Sequence, residues 1–157
     1  MINSLLLKQI SILSALAGAI LGFLTIFPIL NIFTITILVI CLSVFILVYM
    51  KRENLIGAFD LKEGAILGCV IGFVSFIAAS VVYIPLDIIL GLIPPFAAHF
   101  KMRFFFTSFG GVFVLVMLVF FVALLSALMN AFAGLAMSYV YELLSGLDNS
   151  ESDKYKF

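Results

Sequence analysis

The chain has 157 residues, of which 66% are hydrophobic and 10% are charged, and eight Lys and Arg balance eight Asp and Glu. Soluble domains contain about 45–50% apolar and about 25% charged residues, so this chain lacks the polar side chains to cover a surface in water. Its zero net charge gives no indication of nucleic acid as a partner. The composition therefore predicts an all-α integral membrane protein with the lipid bilayer as its solvent.

Stretches without Asp, Glu, Lys or Arg predict how often the chain crosses the bilayer. The three long ones are residues 9–50, 64–86 and 104–141, which contain 42, 23 and 38 residues. Because a helix needs roughly 20 apolar residues to cross the hydrocarbon core, the first stretch holds two crossings and the second holds one. The third is assigned one long helix. The sequence thus predicts a compact bundle of four transmembrane helices in a single domain, residues 1–147.

The first two predicted helices span residues 5–27 and 32–50. Pro28 and Asn31 interrupt the apolar pattern between them and predict a four-residue turn, residues 28–31. The second helix is rich in Ile, Val, Thr and Leu, which favours strands in water. Its 19 residues without a turn signal, beside another apolar run, favour a membrane helix instead.

The third predicted helix covers residues 61–84 and follows a polar loop that begins at Lys51. Asp60 and Glu63 fit a capping box at its start, and Pro85 is expected to end it. Residues 85–109 are too polar and too interrupted for a span exposed to lipid, and too apolar for water. They are predicted to form an irregular segment in the headgroup region.

The fourth predicted helix, residues 112–144, follows Gly110 and Gly111. Its apolar part is longer than the roughly 30 Å hydrocarbon core requires, so we expect tilt or overhang. Residues 148–157 form a polar, acidic tail that is expected to be flexible.

The distribution of Lys and Arg predicts the orientation in the cell membrane. With four crossings, the N-terminus, the loop after the second helix and the C-terminal tail share one side, which carries six of the eight Lys and Arg. The other side carries Lys101 and Arg103, which are expected to contact lipid headgroups. Since cytoplasmic segments carry the excess of positive charge, both termini are predicted to be cytoplasmic.

Small residues at helical spacing predict the faces on which three of the helices pack. Small side chains let helix backbones approach closely, and close packing drives helix association in lipid. The stripes pack either within the monomer or between copies in a homo-oligomer. They comprise Ser14, Gly18 and Gly22 in the first helix, Gly64, Gly68, Gly72 and Ala79 in the third, and Ala123, Ala127, Ala131 and Gly134 in the fourth.

The first and third helices share the sequence Gly-Ala-Ile-Leu-Gly, which begins at Gly18 and again at Gly64. Both helices run in the same direction, so Gly18 and Gly68 are expected to lie at similar depth. The stripe of the first helix is therefore the expected partner of Gly68. A duplicated hairpin would also explain the repeat, although the same offset does not bring the second helix onto the fourth.

Polar residues within or beside the spans are the candidates for function. Asn130 lies inside the fourth helix and is expected either to hydrogen-bond to another helix or to contact a substrate or ion. Asp87 and His99 form a titratable cluster with Lys101 and Arg103 on the outer side. This cluster predicts either headgroup anchoring or a site for a proton, a metal or an anionic lipid. One Asp and one His fall short of a metal signature, and no motif indicates a cofactor.

Three functions are compatible with these features. The sequence has no GxSxG, HExxH or phosphate-binding-loop motif, so the leading hypothesis is a non-enzymatic assembly or accessory subunit of a larger membrane complex. It predicts a dry core and an exposed small-residue or aromatic patch. A small oligomeric transporter or channel predicts a polar cavity that reaches Asn130, with Asp87 near the path. A membrane enzyme at the outer interface predicts Asp87 and His99 within hydrogen-bond reach.

Overall fold

A computed structural model describes residues 4–53, 60–91 and 109–154 of the chain. These residues form four helices, each with a segment long and apolar enough to cross a membrane. The helices are α1, Ser4–Leu24; α2, Pro28–Arg52; α3, Leu61–Gly91; and α4, Phe109–Lys154. Within α2, a π-helical turn at Ile37–Cys41 separates the α-helical parts Pro28–Thr36 and Leu42–Arg52.

The connection between α1 and α2 is shorter than predicted. Helix α1 ends at Leu24, and α2 begins at Pro28, so the predicted turn over residues 28–31 is the first turn of a helix. Proline suits this position because its fixed φ is already helical and its missing N–H would have had no partner there. The connection is closed by polar contacts: the Asn31 amide donates to the carbonyl of Thr25 at 2.9 Å, and the hydroxyls of Thr25 and Thr34 lie 3.1 Å apart.

Helix α3 does not end before Pro85, as the sequence predicted, but continues to Gly91. Pro85 cannot donate to the carbonyl of Val81, so α3 continues with one main-chain hydrogen bond fewer. The first part of the predicted irregular segment, residues 85–91, is therefore helical. The rest of that segment up to residue 108 lies outside the described residues.

Helix α4 is longer than predicted at both ends. It begins at Phe109 and continues to Lys154, so most of the tail that was expected to be flexible is helical. Its 46 residues correspond to about 69 Å, more than twice the roughly 30 Å hydrocarbon core of a bilayer. Ser138 lies beside Gly64 near the start of α3. The last 16 residues of α4 therefore extend about 20 Å beyond the first residue of α3.

Helix α3 is central in the bundle. It packs against α1 and α4 over much of its length, and α2 contacts all three of the other helices. One apolar core lies between α1, α2 and α3, and its side chains are almost fully withdrawn from the surface. Its members are Ile10, Leu38, Leu42, Ile46, Leu47, Met50, Leu67, Ile71 and Ala79.

Candidate functional site

The interface between α3 and α4 is formed by direct backbone contact at glycines. A Cβ at Gly68 would overlap the carbonyl of Asn130, and a Cβ at Gly72 would overlap the carbonyl of Ser126. One turn earlier, a Cβ at Gly64 would overlap the Ser138 side chain. Glycine is therefore required here because any side chain would separate the two helices.

The expected pairing of Gly68 with the first helix is wrong. Helix α1 instead contacts α3 further along, where a Cβ at Gly18 would overlap the carbonyl of Ser75 and a Cβ at Gly22 would lie 2.5 Å from that of Ala79. The residues Gly64 to Ala79 form one face of α3, but α4 covers its first half and α1 its second half. A stripe read from the sequence identifies a packing face and does not identify which neighbour occupies each part of it.

The residues of α4 that face α3 are spaced four apart, at Ser126, Asn130, Gly134 and Ser138, and all four are buried. The predicted stripe shares Gly134 with this set and otherwise lies beside it. Its members Ala123, Ala127 and Gly134 are buried, whereas Ala131 is half-buried. The two buried serines were missed by the sequence analysis. They could have been found from the same spacing of four, extended in both directions from Asn130.

The Asn130 side chain is fully buried and bonds to α2 at three backbone groups. Its Oδ1 accepts from the backbone N–H of Ser43 at 2.8 Å. Its Nδ2 donates to the carbonyls of Val39 at 2.9 Å and Leu38 at 3.1 Å. The same nitrogen lies 3.0 Å from the carbonyl of Ser126, one turn back in α4. All three backbone groups in α2 belong to the π turn or to the residues beside it.

These bonds explain how a π turn exists inside an apolar bundle. In an uninterrupted α-helix, the N–H of Ser43 would donate to the carbonyl of Val39. Here the carboxamide of Asn130 lies between them, accepting from the donor and donating to the acceptor. The backbone at Cys41, with φ −111° and ψ −8°, absorbs the local distortion. A side-chain amide thus replaces a main-chain hydrogen bond in α2, and no polar group is left unsatisfied at that point.

Two serines extend this network, which we name the Asn130 network and which comprises Asn130, Ser43, Ser126 and the carbonyls they contact. The Ser43 hydroxyl donates to the carbonyl of Asn130 at 2.9 Å. The Ser126 hydroxyl lies 3.0 Å from the carbonyl of Gly72 and 3.3 Å from that of Leu38, so it bridges α3 and α2. Among the described residues, every buried side-chain nitrogen and oxygen has a hydrogen-bond partner.

Asp87 lies near the other end of α3 and is also buried, with 2% of its surface exposed. Its Oδ1 accepts from the hydroxyl of Tyr83, one turn earlier in the same helix, at 3.1 Å. Gly72 lies at the level of the Asn130 network, and the 15 residues from Gly72 to Asp87 correspond to about 22 Å along the helix. The structure therefore does not bring Asp87 and Asn130 together in one site.

The remaining members of the predicted outer cluster, His99, Lys101 and Arg103, lie outside the described residues. The contact of His99 with Asp87 that an enzyme would require therefore stays a prediction. Within residues 4–53, 60–91 and 109–154, no three His, Cys, Asp or Glu side chains are placed together to hold a metal ion.

A groove of about 460 Å³ lies between α3 and α4 near Pro85. Its lining is apolar except for Ser80, whose hydroxyl donates to the carbonyl of Phe76 in its own helix. Neither Asn130 nor Asp87 lines this groove, so it does not form a polar path to either residue. It is lined by Ile77, Ser80, Val81, Ile84, Pro85, Val112, Leu115, Val116, Val119 and Phe120.

Comparisons of the chain with models of known protein families, with curated proteins and with solved structures find no match. The function of the chain is therefore inferred from its own structure.

Proposed function

We propose that this chain is a four-span integral protein of the cell membrane that acts as a non-enzymatic assembly or accessory subunit. The main support for this proposal is that the polar groups of the Asn130 network hydrogen-bond to one another. Asn130 is fully buried, and its carboxamide is occupied by backbone groups of α2 and α4. A transport path through this point would require polar groups open to water or to a ligand, whereas these groups bind one another.

The outer surface of α4 supports the same proposal. Phe113, Phe121 and Phe132 lie on one side of the helix and are each more than half exposed. Phenylalanine side chains on a rigid helix give a partner helix large surfaces for packing, which is what drives association in lipid. The C-terminal part of α4 adds a helical extension beyond the bundle, on the side predicted to be cytoplasmic.

The test is purification from the native membrane in a mild detergent, followed by native mass spectrometry. We expect the chain in a complex of fixed stoichiometry with a second protein, whereas a complex of copies of this chain alone would favour the small oligomeric transporter. Replacing Phe113, Phe121 and Phe132 by Leu keeps the helix apolar and should release the partner. The matched control is Ile12→Ala on the exposed side of α1, which should leave the complex intact. A chain that is monomeric under all conditions contradicts the proposal.

A second candidate function, a small transporter, is favoured by one observation. Asp87 is an acidic side chain, almost fully buried, in a helix that is apolar enough to cross a membrane. Buried ionisable residues in such helices commonly mark ion or proton paths. However, Asp87 lies 24 residues from Glu63, about 36 Å along α3, so it belongs near the edge of a roughly 30 Å hydrocarbon core.

Flux measurements distinguish the two functions. The purified chain is reconstituted into liposomes, and proton, Na⁺ and K⁺ fluxes are compared with those of empty liposomes. The accessory-subunit proposal expects no difference. A flux that is abolished by Asp87→Asn and retained by Tyr139→Phe, an exposed position on α4, would establish the transporter instead.

A further inference from the structure

The π turn of α2 and the Asn130 side chain occupy the same backbone groups. The N–H of Ser43 and the carbonyl of Val39 are the two partners of one α-helical hydrogen bond, and Asn130 holds both of them. If the amide withdraws, these groups have a ready alternative, which is to bond to each other. The turn then becomes α-helical, and α2 has no unsatisfied polar group in either arrangement.

The two parts of α2 differ in how firmly they are attached. Pro28–Thr36 is tied to the end of α1 by the hydrogen bonds of Thr25 with Asn31 and Thr34. In Leu42–Arg52, the N–H of Ser43 is held by the Asn130 amide and is released when that amide withdraws. The Ser43 hydroxyl is bonded to the main-chain carbonyl of Asn130 and is released when α4 itself moves. The contacts of this part with the core are apolar, and at its end Lys51 lies over the ring of Tyr141 in α4. Apolar contacts have no fixed direction.

Converting a π turn to α-helix at constant chain length shifts the residues after it. A π turn holds one residue more than the α-helical turn it replaces, so its loss advances the following segment by one residue, which is about 100° of rotation and 1.5 Å of translation. Phe45 would then occupy the place of Ile46, and Ile46 that of Leu47. These two replacements are apolar, and Tyr49 would take the place of Met50 near the polar end of the helix, so the rotated segment would present a largely apolar face to the core.

We propose that the π turn is a switchable joint within α2. Asn130 keeps the turn π-helical, a state that we call the π register. Displacement of α4 lets the turn become α-helical, the α register, and Leu42–Arg52 then rotates. The joint couples the position of α4 to the orientation of the end of α2 that leads into the polar loop after Arg52. This inference is independent of whether the chain is an accessory subunit or a transporter.

Deletion of one residue tests whether the π turn depends on the Asn130 side chain. Deleting Ile40 removes the extra residue of the turn, and its side chain is 41% exposed, so no core position is emptied. Melting temperatures in detergent are compared for the native chain, Asn130→Leu, the Ile40 deletion and the two changes together. Each single change should lower the melting temperature. Adding the deletion to Asn130→Leu should raise it by roughly 2–4 °C or more, because the α register needs no amide.

The matched control is deletion of Val48, which is similarly exposed but lies in the α-helical part Leu42–Arg52. It should lower the melting temperature in both backgrounds, since no extra residue exists there to remove. If deleting Ile40 lowers the melting temperature of Asn130→Leu as well, the proposal is overturned. If Asn130→Leu alone does not fold, the combined variant is expected to fold, and its failure also overturns the proposal.

A nitroxide label at Phe45 tests the rotation itself. Phe45 is 60% exposed in the native chain, so the label should be accessible to oxygen dissolved in the lipid. In Asn130→Leu at native length, the label should turn into the bundle and lose about half or more of that accessibility, as a buried side chain would. In the variant that also lacks Ile40, accessibility should return. A label at Ile12 on α1 is the control, and an unchanged signal at Phe45 in Asn130→Leu would refute the rotation.

Discussion

At the scale of single residues, Asn130 illustrates how one polar side chain organises an apolar bundle. A carboxamide has both an acceptor and a donor, and the break in the main-chain hydrogen bonds of α2 needs one of each. Leucine has a similar size but cannot bond to either group. The sequence located Asn130 as a residue in need of partners, but the partners are main-chain groups of α2, which have no signature in the sequence.

We predict that Asn130→Leu destabilises the chain by roughly 1–3 kcal/mol. One buried donor and two buried acceptors lose their partner in this variant. The cost in stability is reduced by the hydrogen bonds that the same groups can form within α2. Thermal or denaturant unfolding in detergent measures it. An increase in stability would mean that the Asn130 amide lacks hydrogen-bond partners in the folded chain, and it would contradict the network described above.

Ser126→Ala should cost roughly 0.5–1.5 kcal/mol, because it removes the hydroxyl that bridges α3 and α2. The matched control is Thr36→Val. The Thr36 hydroxyl is exposed and donates to the carbonyl of Ile32 in its own helix at 2.7 Å, so its loss should change the stability little. Equal costs for the two variants in the same unfolding assay would show that the interhelical contact adds nothing.

At the scale of helices, the structure assigns each half of the small-residue face of α3 to a different neighbour. Gly64 to Gly72 contact α4, and Ser75 and Ala79 contact α1. Helix α3 therefore holds the bundle together by two backbone contacts at different depths. Pro85 removes one hydrogen bond, that to the carbonyl of Val81, and α3 nevertheless continues to Gly91.

Gly68→Ala should lower the stability, whereas Gly110→Ala should leave it unchanged or raise it. A Cβ at Gly68 would overlap the backbone of Asn130, and we expect a cost of about 1–3 kcal/mol from overpacking. A Cβ at Gly110 meets no atom within 4 Å. Alanine there should therefore be neutral or stabilise α4 by up to about 1 kcal/mol, because it restricts the unfolded chain. Unfolding in detergent compares the two, and the α3–α4 interface would be wrongly placed if Gly68→Ala were neutral.

At the scale of the whole molecule, the antiparallel order of α3 and α4 places the loop after α2 and the C-terminal extension of α4 at the same end. Lys51 and Tyr141 meet there, with the ammonium nitrogen 5.8 Å from the centre of the ring. Lys51, Arg52 and Lys62 belong to this end, which supports the proposal that it is cytoplasmic.

The orientation is tested by labelling cysteines in intact cells with an impermeant reagent, after Cys41 and Cys69 have been replaced by Ala. A cysteine that replaces Glu53 should be protected, and one that replaces Lys101 should react. Both should react once the membrane is permeabilised, which is the control for accessibility. The reverse pattern in intact cells would place both termini outside.

The sequence by itself predicted four helices and their approximate centres, and the described residues form four. It could do so because the length of each apolar stretch matches a whole number of helices long enough to cross a bilayer. Helix ends were less predictable, since Pro28 and Pro85 were read as breaks and both lie within helices. Proline is compatible with a first turn, and at Pro85 it removes one hydrogen bond from a helix of 31 residues.

Only the tertiary structure decided which helices meet and what Asn130 binds. Gly18 and Gly68 carry the same local signal, but one faces α3 and the other faces α4. The π turn at Ile37–Cys41 is also decided at this level, because no residue within α2 supplies the amide that completes its hydrogen bonds. That amide is 87 residues away from Ser43 in the chain, and local propensity contains no information about a partner at that distance.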